Sequence, residues 1–327
     1  MGTLKDNIRI LVQKMEFTMK HMKSVKDIRF MLDEEVLKPK EQIKRHSLDQ
    51  IQIKEPKEEF KTKYKFLKAH KGFQRGHTHV FLGRTNKGKS ALVQSLACEN
   101  IVRGQNTLLF LSEGEKGDVK RRIDTMLSLK YKSVEERNRI MRSLILIDES
   151  DLDQATIHDP QSWVASLFKF VKEYEIDLAY IDNFSTCSFG DSSPEIQANF
   201  MKTLCATTQR YQIALIGVVH QAKSVAPDKE LTIEDIRANS AFMNSPSFVY
   251  ALNNFCNYKD QSKRVLSILK SRLDGDIIGN YYDLSYKKYK NEGFYVKDQQ
   301  IDNKIAKELF FRNKSQRFTT KSFQKSW

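Results

Sequence analysis

Apolar and polar positions alternate along residues 64–289 with two periods. Short apolar runs of strand length fall at Thr78–Leu82, Thr107–Leu111, Ser143–Asp148, Leu178–Asp182, Ile213–Val219, Ser247–Leu252 and Val265–Leu269. Between them, apolar residues recur at helical spacing and predict helices over Lys89–Ala97, Asp118–Leu129, Gln161–Tyr174 and Glu195–Tyr211. A last pair of strands is expected within Ile277–Tyr286. Strands alternating with amphipathic helices indicate an α/β fold, a mainly parallel sheet flanked by helices. This core is expected over residues 61–290. Residues 1–60 read differently: Leu4, Ile8, Leu11, Met15, Met22 and Val25 make one helical stripe, followed by a charged linker from Pro39 to Glu59. Such an arm either docks on a neighbouring subunit or packs on its own core, and the pattern fits both.

Composition adds a charge argument. The chain has 327 residues, 40% of them hydrophobic, which is enough for a large globular core. A formal charge of +14 favours a polyanionic partner, nucleic acid before a membrane. In residues 291–327 the charge is concentrated: Lys304, Lys307, Arg312, Lys314, Arg317, Lys321 and Lys325 interleave with Phe310, Phe311, Phe318, Phe323 and Trp327. Such a tail can hold single-stranded nucleic acid by phosphate contact and base stacking; a solvated tail or a docking peptide has the same pattern. No apolar run reaches the roughly 20 residues that cross a bilayer, and the N-terminus lacks a signal-peptide core, so no membrane partner is expected. Cys98, Cys187, Cys205 and Cys256 stand far apart without a C-x-x-C pair, which suits a reducing cytoplasm and argues against structural zinc. His77 and His79, alternating on a strand, are expected to be structural.

The chemistry centres on Gly83-Arg84-Thr85-Asn86-Lys87-Gly88-Lys89-Ser90, a match to G-x-x-x-x-G-K-[ST]. An apolar run precedes it, and Ala91, Leu92, Leu96 and Ala97 follow at helical spacing, which is the strand–loop–helix context the motif needs. Glycines let backbone N–H groups wrap phosphate oxygens, and the helix N-terminus adds partial positive charge. Lys89 would reach the outer phosphates of ATP, and the Ser90 hydroxyl would ligate Mg²⁺. The alternative is a glycine-containing turn with exposed lysines. A phosphate loop also needs an acid for the metal and a base for water. Asp182 ends the apolar strand of "DLAYIDNFS" and suits the first role. Glu113, ending another strand, suits the second, with Glu115 as a competitor two residues on.

Taken together, these segments resemble the RecA-type P-loop ATPases, and most closely the motor domain of DnaB-type hexameric replicative helicases. The loop GRTNKGKSAL resembles that family's phosphate loop. Glu113, Arg122 and Ile123 keep the family's spacing after the second strand, which implies Glu113 rather than Glu115 as base. "AYIDNF" resembles the metal-site strand. In "IALIGVVHQAKS", Gln221 holds the place of the residue that senses the γ-phosphate. "EDIRANSAFMNS" resembles the family's Asp-aliphatic-Arg segment. In "SILKSRLDGDIIG", Lys270 and Arg272 stand where the family projects a lysine and an arginine finger into the neighbour's nucleotide site.

The resemblance covers roughly residues 64–290 and implies a RecA-like core, ATP and Mg²⁺ as cofactors, and a homo-oligomeric, hexameric ring on single-stranded DNA. The arm and tail would serve as docking points for other replication proteins. The implied activity is ATP hydrolysis that drives translocation and duplex unwinding in DNA replication. A RecA-like recombinase or recombination accessory ATPase is the alternative, as is a nucleotide-gated loader without unwinding activity. The expected DNA loops depart from a nucleic-acid site: "FSTCSFGDSSPE" has no basic residue, and "AKSVAPDKELT" offers only Lys223 and Lys229.

Overall fold

The computed structural model describes residues 60–306 apart from 153–158, 186, 188, 190–191, 223–224, 226–228, 237–239 and 255–263. The N-terminal arm, its linker and most of the expected tail lie outside the described residues. Strands β1 (Thr78–Gly83), β2 (Thr107–Leu111), β3 (Leu144–Asp148), β4 (Leu178–Asp182), β5 (Ala214–His220), β6 (Phe248–Asn254), β7 (Arg264–Ser271), β8 (Tyr281–Tyr289) and β9 (Glu292–Ile301) form one sheet. Their order is β3-β2-β4-β5-β1-β6-β7-β8-β9. The first six pair in parallel, and β7, β8 and β9 extend the sheet by antiparallel pairing. The helices are α1 (Lys65–Lys68), α2 (Lys89–Val102), α3 (Lys116–Ser128), α4 (Val134–Met141), α5 (Pro160–Glu173), α6 (Pro194–Tyr211) and α7 (Ala241–Asn244).

Both faces of the sheet are covered, so its central strands are buried along their whole length and mostly apolar. Alternation divides them between two cores: Phe81, Leu109 and Ile216 pack with α2 and α3, whereas Val80, Leu82 and Leu215 pack with Trp163 of α5 and Phe200 of α6. Helix α5 starts on Asp159, whose carboxylate accepts from the Gln161 and Ser162 N–H groups, with Pro160 at the first helical position. His77 and His79 are held inside the fold by Ser247 Oγ at 2.9 Å and the Tyr250 hydroxyl at 3.1 Å. Among the described residues no helix is long and apolar enough to cross a membrane.

The expected elements from β1 to β7 fall where the periodicity places them, with ends shifted by a few residues. Helix α4 is an addition; its sequence VEERNRIM has no buried residue, so it carries little hydrophobic signal. The sheet also runs further than expected. Strand β9 lies in the stretch assigned to the tail from residue 291, joined to β8 by a two-residue turn in which Lys290 and Asn291 have φ of 48° and 66°. Its Phe294 and Tyr295 are buried against α2, so these residues belong to the core and not to a basic tail.

Candidate nucleotide site

The C-terminal ends of β1, β2, β4 and β5 converge on one edge of the sheet, where open α/β folds bind ligands. Residues Arg84–Gly88 connect β1 to α2. Asn86 has φ of 57° and Gly88 has φ of 92°, left-handed conformations that turn the chain sharply into the helix. A methyl group on Gly88 would also meet the Tyr295 hydroxyl at 2.6 Å, so glycine is required there on two counts. Lys87 is tied from outside the loop, its carbonyl accepting from Arg264 Nε at 3.1 Å. Arg84 is buried, and its guanidinium donates to the Lys229 carbonyl at 3.1 Å, in the segment that follows β5.

Lys89 curls back over the loop. Its Nζ donates to the Arg84 carbonyl at 2.6 Å and lies 3.0 Å from His220 Nδ1. Burial pushes the Lys89 ammonium down to about 8, opposed by the charges of Asp182 and Glu113. Ser90 Oγ donates to Asp182 Oδ1 at 3.1 Å, joining the first turn of α2 to the end of β4. Burial raises the Asp182 carboxyl to about 6, while the Ser90 hydrogen bond and Lys89 act in the opposite direction. A hydroxyl and a carboxylate side by side suit Mg²⁺, which prefers oxygen ligands and takes only one or two from protein beside phosphate and water. A divalent cation there would favour the ionised carboxylate.

Glu113 follows β2, whose end is fastened to β4 by the Ser112 N–H donating to the Asp182 carbonyl at 3.0 Å. Its exposed carboxylate acts electrostatically on both Lys89 and Asp182. Glu115 instead occupies the N-cap of α3. Arg122 donates to Gln94 Oε1 at 2.7 Å and Glu292 Oε2 at 3.1 Å, and its charge also acts on Asp182. Gln221 lies one residue beyond β5; its N–H donates to the Gly83 carbonyl at 3.2 Å, and it bridges Ile236. Its side-chain oxygen is buried with no hydrogen-bond partner among the described residues.

Gly83, Arg84, Thr85, Asn86, Lys87, Gly88, Lys89, Ser90, Glu113, Asp182 and Gln221 therefore share one edge of the sheet. Lys270 and Arg272 do not. They lie at the opposite end of β7, where Lys270 Nζ donates to the Asn244 carbonyl at 2.7 Å and Arg272 to the same oxygen at 3.2 Å. Burial and then the Arg272 charge lower the Lys270 ammonium from its usual value. Lys223 and Arg237 fall outside the described residues.

Sequence reasoning missed His220 and Asn183. The His220 ring lies within hydrogen-bonding range of Lys89, Thr85 and Asn183. The available signal was that β5 ends on His220, one residue before Gln221.

A family model described as AAA domain matches residues 67–226. No curated protein is significantly similar to the chain in sequence. Many solved structures share its fold, among them these two. One, an ATPase domain, superposes with a TM-score of 0.55 at 13% identity, over 69% of this chain and 87% of that one. The other, a DnaB-like replicative helicase described with its interactions with primase, gives a TM-score of 0.58 at 14% identity, over 73% of this chain and 63% of that one. With its phosphate loop, its β-strand order and these neighbours, the chain has the fold of a RecA-type P-loop ATPase and resembles the motor domain of DnaB-like helicases.

Proposed function

We propose that the chain hydrolyses ATP with Mg²⁺ and acts as the motor of a ring-forming DNA helicase, moving on single-stranded DNA and unwinding duplex in replication. In this reading the backbone of residues 83–90 and Lys89 hold the phosphates, Ser90 and Asp182 hold Mg²⁺, and Glu113 takes a proton from the attacking water. Bound Mg²⁺ would neutralise charge on the outer phosphates. Gln221 would report the γ-phosphate to the segment after β5, which Arg84 already joins to the phosphate loop through Lys229.

One observation carries the oligomeric part. Leu266 of β7 is level with Leu252 and thus with Gly83, whereas Ser271 is level with Phe248 and His79. Four residues of strand at roughly 3.3 Å each put the backbone before Arg272 about 13 Å below the start of the phosphate loop. Both basic side chains point to α7, away from their own site. An arginine finger at this place serves a neighbour's nucleotide, which supports a site completed between subunits.

The test is ATP turnover with and without single-stranded DNA, alongside strand displacement on forked DNA. DNA-stimulated turnover and unwinding, both abolished in a folded Lys89→Ala protein, are the expected results. Normal turnover in that variant refutes the nucleotide site, and turnover indifferent to DNA refutes the motor.

A further inference from the structure

His220 stands at the crossing of the elements that make the site. Its backbone N–H donates to Ser185 Oγ at 2.9 Å, which fixes the end of β5 against the segment after β4. Its Nδ1 lies 3.0 Å from Lys89 Nζ and 3.4 Å from Thr85 Oγ1, and its Nε2 lies 3.0 Å from Asn183 Nδ2. The Asn183 N–H donates to Ser112 Oγ at 2.7 Å, and Ser112 Oγ donates back to the Asn183 carbonyl at 2.9 Å. Ser112 immediately precedes Glu113, and Asn183 immediately follows Asp182. A continuous path of hydrogen bonds thus runs from the phosphate lysine to the neighbours of both acids.

The chemistry of the partners dictates the state of the ring. An ammonium only donates, so Nδ1 facing Lys89 must present its lone pair. The neutral ring then carries its proton on Nε2, and for Asn183 to accept it the carboxamide must turn over, exchanging the Nδ2 that faces the ring for Oδ1. An imidazolium would aim an N–H at a second cation.

We propose that His220 is a positioning residue for ATP hydrolysis: as a neutral acceptor it holds the Lys89 ammonium in line and joins it, through Asn183, to the strand ends bearing Asp182 and Glu113. The proposal rests on the ATPase reading above and adds a residue to it. A hydrogen bond to a charged group lost from this path corresponds to about a 10- to 100-fold loss.

The experiment measures kcat/KM for ATP and the affinity for a fluorescent ATP analogue in wild type, His220→Ala, His220→Asn and His220→Gln, with thermal denaturation to confirm folding. The amide of asparagine places an acceptor near the Nδ1 position, whereas glutamine reaches the Nε2 position. His220→Ala is expected to lose about 10- to 100-fold in kcat/KM, His220→Asn to recover most of it, and His220→Gln to resemble alanine. If alanine destabilises the fold, the comparison of asparagine with glutamine decides alone. Equal activity of those two variants, or alanine within twofold of wild type, overturns the proposal. A wild type that binds no analogue and turns over no ATP overturns the ATPase reading itself.

Discussion

Replacing Gly217 with alanine would place a methyl carbon inside the ring of Phe184, because β5 runs directly beneath that side chain. Phe184 has 0% exposure and is tied by its N–H to the Val218 carbonyl at 2.8 Å. It follows Asp182 and Asn183, so moving it moves the metal-site strand end. Forcing an extra carbon into a packed core costs about 1–3 kcal/mol. Losing the phenyl ring altogether, as in Phe184→Ala, costs about 3–5 kcal/mol. Removing a strand glycine returns roughly 0.5–1 kcal/mol, so Gly217→Ala alone is expected to destabilise by about 1–2 kcal/mol. With Phe184→Ala already present the methyl has room, and the second change is then neutral or slightly stabilising. Urea denaturation of the two single variants and the double variant measures the coupling, expected at roughly 2 kcal/mol. Costs that add within about 0.5 kcal/mol would refute the contact.

Glu113→Gln is expected to bind ATP normally and hydrolyse it poorly, since an amide cannot accept the water's proton, while Glu115→Gln keeps turnover; the reverse result in single-turnover assays makes Glu115 the base. A second expectation concerns His70, which shares the Tyr250 hydroxyl at 2.8 Å and is pushed down to about 4 by burial. A histidine whose folded value lies below its unfolded 6.5 contributes full stability above pH 6.5 and loses it as the pH falls towards 4. The difference is about 3 kcal/mol at 1.36 kcal/mol per unit. Asp182, raised to about 6, has the opposite sign in the same window, so wild type must be compared with His70→Gln. A stability difference between the two that does not change from pH 7 to pH 4 contradicts the assignment.

The parallel core was legible because β1, β2, β4 and β5 are mostly apolar runs bounded by turn residues and followed by helical stripes. The phosphate loop was legible because its chemistry needs glycine, lysine and a hydroxyl at set spacings. The outer hairpin was legible only in part: a pair of strands was expected within Ile277–Tyr286, where the structure has the start of the single strand β8. Tyr281–Tyr289 mixes apolar residues with lysines as its pairing moves from core to solvent, and the Lys290–Asn291 turn uses left-handed residues other than glycine. His220 escaped for another reason. Its role depends on Thr85 and Lys89 of the phosphate loop and on Asn183 after β4, which the sheet order brings beside the end of β5. Arg264 and Tyr295 likewise reach the phosphate loop from strands some 175 residues or more along the chain, which no local pattern foretells.

The proposed ring requires one subunit's Arg272 to complete another subunit's nucleotide site. The most direct measurement of this mixes Arg272→Ala subunits with Glu113→Gln subunits, each nearly inactive alone, and follows ATP turnover across mixing ratios and dilution. Interfaces that join an intact Glu113 site to an intact Arg272 neighbour should restore part of the activity, with loss on dilution below the assembly concentration. Titrating Arg272→Ala into wild type completes the test, because a loss proportional to the mutant fraction excludes strict coupling around the whole ring. Proportional loss together with a mixture that assembles but stays inactive would contradict this requirement.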